Sequence, residues 1–248
     1  MMHLENSQNE WFASWFDSPY YHLLYGNRNE QEAINFLQRL MTHLNPNSNS
    51  SSLDLACGAG RHVRALAPYF AKVSGCDLSS NSIAEATKNA PSNAAFFVHD
   101  MREELPENYD YIFNLFTSFG YFDSKDTNLK VLKNIHQALN PKGELIIDFM
   151  NAEKVKQNLV LQEQIEKGNI CFHIKRWIEN GQIKKNIQFT DKNTNYEYTE
   201  TVQALNVEDF KSLLSESHFE IIQIFGSYNL ETFDQRYSDR LILHCKKQ

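Results

Sequence analysis

Two acidic residues and two glycines stand close together in the first third of the chain. Asp54 precedes Gly58 and Gly60, and Asp77 follows Gly60 by 17 positions, at the end of a second apolar run. Glycines let the backbone turn tightly and approach a ligand closely. A carboxylate at the end of the second strand accepts the two hydroxyls of a ribose. The spacing therefore predicts a site for a cofactor that contains adenosine.

The position after the glycines narrows the choice of cofactor. The dinucleotide fingerprint has a third glycine three residues after the second, for close packing of the helix on the strand, but Val63 stands there. This argues against NAD, although a nicotinamide-dependent oxidoreductase stays open as an alternative. A non-catalytic binding protein with the same fold also stays open, because function resides in the site and not in the scaffold.

Five segments, in order, resemble the motifs of class I S-adenosylmethionine-dependent methyltransferases of the small-molecule type. Residues 54–60 resemble motif I, and Asp77 resembles the ribose-binding acid. Residues 98–101 resemble the segment that reads the adenine edge, and residues 109–116 resemble the fourth strand. Residues 139–145 resemble the turn before the fifth strand, with Lys142 where that pattern usually has glycine.

The resemblance implies a fold, an activity and a set of site residues. The fold is α/β and Rossmann-like, with a seven-stranded, mostly parallel sheet, a reversed last strand and helices on both faces. The activity is in-line transfer of a methyl group from S-adenosylmethionine to a small or medium-sized acceptor, with S-adenosylhomocysteine as product. The cofactor-binding residues are expected to be Asp54, Ala56, Gly58, Gly60, Asp77, Leu78, Asp100, Met101, Phe116, Tyr21 and Arg28.

Hydrophobic periodicity predicts the elements that position these residues. An amphipathic helix is expected at 29–44, and strands are expected at about 51–57, 72–78, 94–100, 109–116 and 143–150. Ser79 and Ser124 are suited to cap the helices that follow them. A helix at 207–217 and strands at 219–226 and 239–246 complete the main domain, which we assign to residues 29–151 and 206–248.

Two segments do not follow this alternation of strands and helices. Residues 152–205 alternate apolar and polar side chains around an Asn180-Gly181 turn, which predicts an inserted antiparallel β-meander over the acceptor site. Residues 1–28 are rich in aromatics, and Tyr21 to Tyr25 resembles a tyrosine motif that closes over the cofactor, with His22 replacing the usual aspartate. Each segment is expected to act as a lid, and a dimer contact is the alternative for each.

Composition and missing motifs limit the partners. The net charge is -7 without a basic tract, which argues against nucleic acid. No Asn/Asp-Pro-Pro-aromatic motif and no Pro-Cys nucleophile follow the fourth strand. We expect a small-molecule acceptor, no metal, no membrane segment, a cytoplasmic location and a monomer or homodimer. No general base is assigned; the residues considered by location alone are His173, Asp148, Asn151 and Tyr121.

Overall fold

The structure is a computed structural model, and it describes residues 11–25, 30–122 and 124–248, apart from the side chain at position 13. The chain divides into two compact units. The smaller comprises the N-terminal residues up to Arg28 together with Val160–Thr201, and the larger comprises Asn29–Leu159 and Val202–Gln248.

The larger unit contains a seven-stranded sheet of order β10-β11-β5-β4-β1-β2-β3. Strands β1 to β5 pair in parallel, whereas β11 runs antiparallel to both β5 and β10. The predicted α/β architecture with a reversed last strand is therefore confirmed. Its strands are β1 (Ser51–Leu55), β2 (Lys72–Asp77), β3 (Ala94–Val98), β4 (Tyr109–Asn114), β5 (Leu139–Met150), β10 (Phe219–Phe225) and β11 (Arg240–Lys247).

Two helices of the larger unit begin at the serines predicted to cap them. The Ser79 hydroxyl accepts the Ser82 N–H at 3.0 Å, and the Ser124 hydroxyl accepts the Thr127 N–H at 3.1 Å, so both predicted caps are confirmed. The apolar face of α3 enters the core, although Ile34, predicted on that face, is 44% exposed. The helices of the larger unit are α3 (Glu30–Leu44), α4 (Arg61–Leu66), α5 (Ser80–Lys88), α6 (Lys125–Ala138), α7 (Ala152–Gln157) and α8 (Val207–Glu216).

The smaller unit contains a four-stranded antiparallel sheet and two short helices. Its helices are α1 (Trp11–Phe16) and α2 (Pro19–Tyr25), and its strands are β6 (Gln162–Lys167), β7 (Ile170–Glu179), β8 (Gln182–Asp191) and β9 (Thr194–Gln203). The last two residues of β9 belong to the larger unit. Asn180 and Gly181 both have positive φ, as the favoured hairpin turn requires, so the predicted meander is confirmed.

The N-terminal helices pack on one face of this sheet, which the sequence did not indicate. Trp15 and Leu24 are buried against Phe172, Ile187 and their neighbours in a separate hydrophobic core. The ring of Tyr198 lies 4.4 Å from that of Trp15, and the ring of Tyr196 lies 4.7 Å from that of Tyr20. These two tyrosines of the meander therefore contact the chain's own N-terminal helices.

Candidate functional site

The turn between β1 and α4 is built from left-handed residues. Ala56, Gly58 and Gly60 have φ values of 65°, 53° and 77°. A Cβ atom placed on Gly58 would meet nothing within 4 Å, so this residue leaves open space beside the backbone. We infer that Gly58 is where a ligand approaches most closely.

Gly60 has a packing role in the turn. A Cβ atom at this position would lie 2.8 Å from the Phe96 ring and 3.1 Å from Cβ of Ala86. Gly60 is therefore required for packing between the turn and β3, and its predicted contact with the cofactor stays a prediction.

The packing role of the missing third glycine is taken by a glycine on the strand. A Cβ atom on Gly75, in β2, would lie 2.8 Å from Cγ2 of Val63. The helix thus carries the side chain and the strand carries the glycine, the reverse of the dinucleotide fingerprint. Val63 is fully buried in this contact.

Asp77 joins the glycine turn to the start of α5. Its Oδ2 accepts the Gly58 N–H at 2.8 Å, and its Oδ1 accepts the Ser79 N–H at 2.9 Å. A carboxylate has about four acceptor positions, so the same oxygens can also accept two ribose hydroxyls. These bonds bring Asp77 and Gly58 together, a contact that the sequence analysis did not predict.

Asp54 is the most unusual residue of the site. Its side chain is 1% exposed, and neither carboxylate oxygen has a hydrogen-bond partner among the described residues. Burial, and secondarily the charge of Asp77, raises the pKa of Asp54 to about 8. A role as a structural cap of the turn, the alternative to ligand contact, would require hydrogen bonds that Asp54 does not make.

Two basic side chains of α4 lie near this carboxylate. His62 is buried, and its Nδ1 lies 3.8 Å from Oδ2 of Asp54. Its Nε2 lies 3.2 Å from Nη2 of Arg61, and because a guanidinium only donates, Nε2 must accept. His62 is then neutral, with its proton on Nδ1 facing Asp54. The sequence left its burial undecided.

The ends of β2 and β3 present apolar side chains outward. Leu78, directly after Asp77, is 38% exposed, and Val98, the last residue of β3, is 52% exposed. Exposed apolar side chains beside a polar site are suited to contact the flat face of a base. Asp77 and Leu78 thus place a ribose acceptor and an apolar surface in consecutive residues.

Asp100 and Met101 lie in the turn after β3. Asp100 accepts hydrogen bonds from the Arg102 backbone at 2.9 Å and from its guanidinium at 2.5 and 3.0 Å. Burial raises the pKa of Asp100, but these bonds outweigh burial and bring its pKa below the usual value. The Met101 carbonyl accepts from Asn134 at 3.4 Å. The Glu103 N–H donates to the Asp100 carbonyl at 2.9 Å and closes this turn.

The loop after β4 is strained. Phe116 and Thr117 are consecutive non-glycine residues with φ of 60° and 61°, a conformation that costs roughly 1–2 kcal/mol per residue. Asp148 holds both: its Oδ2 accepts the Phe116 N–H at 2.9 Å, and its carbonyl accepts the Thr117 N–H at 2.8 Å. The Arg61 guanidinium carbon lies 5.1 Å from the centroid of the Phe116 ring.

The residues considered by location as general bases have other contacts. Asp148 is 1% exposed and forms an ion pair with Arg240 at 2.7 Å. The Asn151 side chain donates to two carbonyls, and the Tyr121 hydroxyl donates to the Thr117 carbonyl at 2.6 Å. His173 lies on β7, in the smaller unit.

Tyr21 and Arg28 complete the set of predicted site residues. Tyr21 belongs to the smaller unit, where its ring packs against Trp15 and Phe16. Arg28 lies outside the described residues. None of the helices in the described ranges has the length and apolar character needed to cross a bilayer.

The part of the chain that contains the glycine turn matches a known protein family. Residues 53–143 match the family profile described as "Methyltransferase domain". A dTDP-3-amino-3,4,6-trideoxy-alpha-D-glucopyranose N,N-dimethyltransferase of Streptomyces venezuelae is 28% identical over 100 residues, which cover 40% of this chain and 42% of that protein. The match therefore spans less than half the length of that curated relative.

Solved structures share the fold over almost the whole chain. A crystal structure of an S-adenosylmethionine-dependent methyltransferase from Clostridium acetobutylicum has a TM-score of 0.77 at 20% identity and covers 92% of this chain and 96% of its own. An S-adenosylmethionine-bound amino pentose methyltransferase from Micromonospora echinaspora has a TM-score of 0.66 at 15% identity, covering 93% and 97%. These similarities support methyl transfer and give no support to the nicotinamide-dependent alternative.

The residues of the site fit S-adenosylmethionine. The unpartnered, buried carboxylate of Asp54 suits a ligand that carries positive charge, as the amino and sulfonium groups of this cofactor do. The open side of Gly58, the oxygens of Asp77 and the exposed side chain of Leu78 suit its remaining parts: a close backbone approach, a ribose and a base.

Proposed function

Because the chain carries a class I S-adenosylmethionine-dependent methyltransferase domain, we propose that the protein methylates a small molecule. The buried Asp54 carboxylate beside the Asp77–Gly58 contact carries this proposal. S-adenosylmethionine supplies, when bound, a methyl group already activated for transfer. The chain therefore has to bind and orient the cofactor and the acceptor and exclude water from them, and it does not have to supply a reactive group.

Each part of the site has a task in this function. Asp77 holds the ribose, the backbone at Gly58 lies against the ligand, and Asp54 compensates positive charge. Phe116 and Thr117 follow β4 at the carboxyl edge of the parallel strands, where ligands of open α/β sheets bind. This loop is the part of the larger unit best placed to meet the acceptor.

The acceptor atom proposed is an amine nitrogen of a small molecule. The support comes from relatives: the Streptomyces venezuelae protein and the Micromonospora echinaspora structure carry names that specify amino sugars. The negative net charge without a basic tract disfavours nucleic acid as acceptor. An amine reacts once it has lost its proton, so a substrate that is partly neutral at the working pH requires no dedicated base.

The lid roles of residues 1–28 and of the meander, the cytoplasmic location and the oligomeric state stay predictions. Within the smaller unit, α1 and α2 share one hydrophobic core with β7 and β8. A closing movement of this unit would therefore carry the helices and the meander together. The two segments would then act as one lid and not as two independent lids.

Calorimetry with S-adenosylmethionine, S-adenosylhomocysteine and NAD tests the cofactor. We expect the first two to bind and NAD not to bind. Asp77→Ala removes an acceptor of hydrogen bonds worth about 1.5–3 kcal/mol each, so affinity should fall at least tenfold. Asp110→Asn is the control. Asp110 also accepts a backbone N–H, from Ser51 at 2.8 Å, but it lies near the start of β4, whereas the site lies where the parallel strands end.

Equal cofactor affinity in wild type and a folded Asp77→Ala variant would contradict the proposed cofactor site.

The acceptor class is tested by mass-spectrometric detection of S-adenosylhomocysteine with matched pairs of nucleotide-linked sugars that carry either an amino or a hydroxyl group. Turnover confined to the hydroxyl sugars would contradict the nitrogen acceptor while leaving methyl transfer intact.

A further inference from the structure

A buried polar group supports the strained loop after β4. It consists of Asp148 on β5, Arg240 on β11 and Tyr228 before β11, and we call these three residues the brace. Arg240 Nε donates to Asp148 Oδ1 at 2.7 Å, and the Tyr228 hydroxyl donates to Asp148 Oδ2 at 3.1 Å. The Asp148 side chain is 1% exposed and that of Arg240 is 17% exposed.

The brace contacts both left-handed residues directly. Asp148 accepts the N–H groups of Phe116 and Thr117, through Oδ2 and its carbonyl respectively. Arg240 Nη2 donates to Thr117 Oγ1 at 3.1 Å, and its guanidinium carbon lies 5.8 Å from the centroid of the Phe116 ring. Two adjacent strained residues persist only where their surroundings impose the conformation, and here those surroundings are Asp148 and Arg240.

The brace is also connected to the cofactor turn. The Phe116 ring that lies near Arg240 lies near Arg61 as well, at 5.1 Å, and Arg61 is the first residue of α4 after Gly60. The Phe116 ring thus lies near Arg61 of α4 and Arg240 of β11. A change in the loop after β4 would therefore be transmitted to the glycine turn through Phe116.

We propose that Arg240 and Asp148 are positioning residues for methyl transfer. They hold Phe116 and Thr117 in the conformation that shapes the wall between cofactor and acceptor. The inference rests on the proposed function. It assigns a task to the last strand of the sheet, which lies outside every cofactor motif and outside the profile match at residues 53–143.

Substitution of Arg240 by lysine tests the brace. Lysine keeps the charge, but it cannot make two bonds in the fixed geometry of a guanidinium, one to Asp148 and one to Thr117. We expect Arg240→Lys to weaken S-adenosylhomocysteine binding about tenfold in calorimetry. Amide hydrogen exchange of a peptide covering residues 115–118 should be at least tenfold faster, while peptides from β1 and β2 keep their protection.

His244→Gln is the matched control. His244 lies on the same strand as Arg240 and also pairs with a carboxylate of β5, that of Glu144 at 2.8 Å, but away from the strained loop. It should keep wild-type affinity and wild-type exchange at residues 115–118. If Arg240→Lys does not fold, Thr117→Ala replaces it, since this change removes only the side-chain acceptor. Thr117→Ser retains the hydroxyl and should bind more tightly than Thr117→Ala.

Three results would overturn the proposal. Arg240→Lys could bind S-adenosylhomocysteine as the wild type does, with its loop still protected. His244→Gln could weaken binding as much as Arg240→Lys does, which would indicate a purely structural effect. Equal binding by Thr117→Ala and Thr117→Ser would remove the contact on which the argument depends. Failure of the wild type to bind at all would instead overturn the proposed function, so the two failures are distinguishable.

Discussion

Replacing Asp54 with asparagine tests the charge of the cofactor site. The pKa of about 8 lies well above the ordinary value of 3.8 because the carboxylate is buried. Each pH unit corresponds to about 1.4 kcal/mol, so ionising Asp54 in the free protein costs roughly 6 kcal/mol more than ionising an exposed aspartate. A group whose folded pKa is raised favours the folded state fully below the unfolded pKa. Its contribution is lost as the pH rises from about 4 to about 8.

Binding a positively charged cofactor should reverse this preference. The ligand favours the ionised carboxylate, so binding at pH 7 should release roughly 0.9 proton from Asp54, the fraction protonated when the pKa is about 8. The ratio of wild-type to Asp54→Asn affinity should then rise about 50-fold between pH 6 and pH 8. Asparagine resembles aspartate in shape, so the variant isolates the charge.

Calorimetry of S-adenosylmethionine binding in two buffers of different ionisation enthalpy measures this proton release directly. The amino group of the cofactor titrates near pH 8 as well, so the proton change on binding to Asp54→Asn is measured in the same two buffers for comparison. Chemical unfolding of the unliganded proteins provides a second measurement, in which only the wild type should lose Asp54-dependent stability above pH 4. A pH-independent affinity ratio would refute the reasoning.

Two further predictions follow from the packing. Gly60→Ala should lower the free energy of unfolding by roughly 2–5 kcal/mol, because its Cβ would meet the Phe96 ring at 2.8 Å in a left-handed residue. Gly58→Ala should mainly weaken cofactor binding. Thermal unfolding of both variants tests this difference, and an equal loss of stability would contradict the packing role of Gly60. Glu200→Ala removes the acceptor of the Trp15 indole N–H at 2.7 Å, so tryptophan fluorescence should shift to the red, and an unchanged spectrum would show that Glu200 does not hold α1 on the sheet.

Local signals in the sequence were sufficient for most of the elements. The caps at Ser79 and Ser124 and the hairpin at Asn180 and Gly181 depend on residues within four positions of one another. Strand ends were predicted one or two residues too late at β1, β2, β3 and β4, where the chain leaves the sheet to form the site. Lys142 keeps the left-handed conformation of the glycine it replaces, with φ of 66°.

The sequence by itself determined the sheet and the glycine turn, and it placed Asp77 at the end of β2. Apolar runs, turn residues and motif order are all local or repeated properties. Only the tertiary structure decided how the strained loop is held and where the N-terminal helices pack. The bond from Arg240 to Thr117 joins residues 123 positions apart, and that from Trp15 to Glu200 joins residues 185 positions apart. Such contacts leave no periodic pattern, because they form only once the strands have brought distant side chains together.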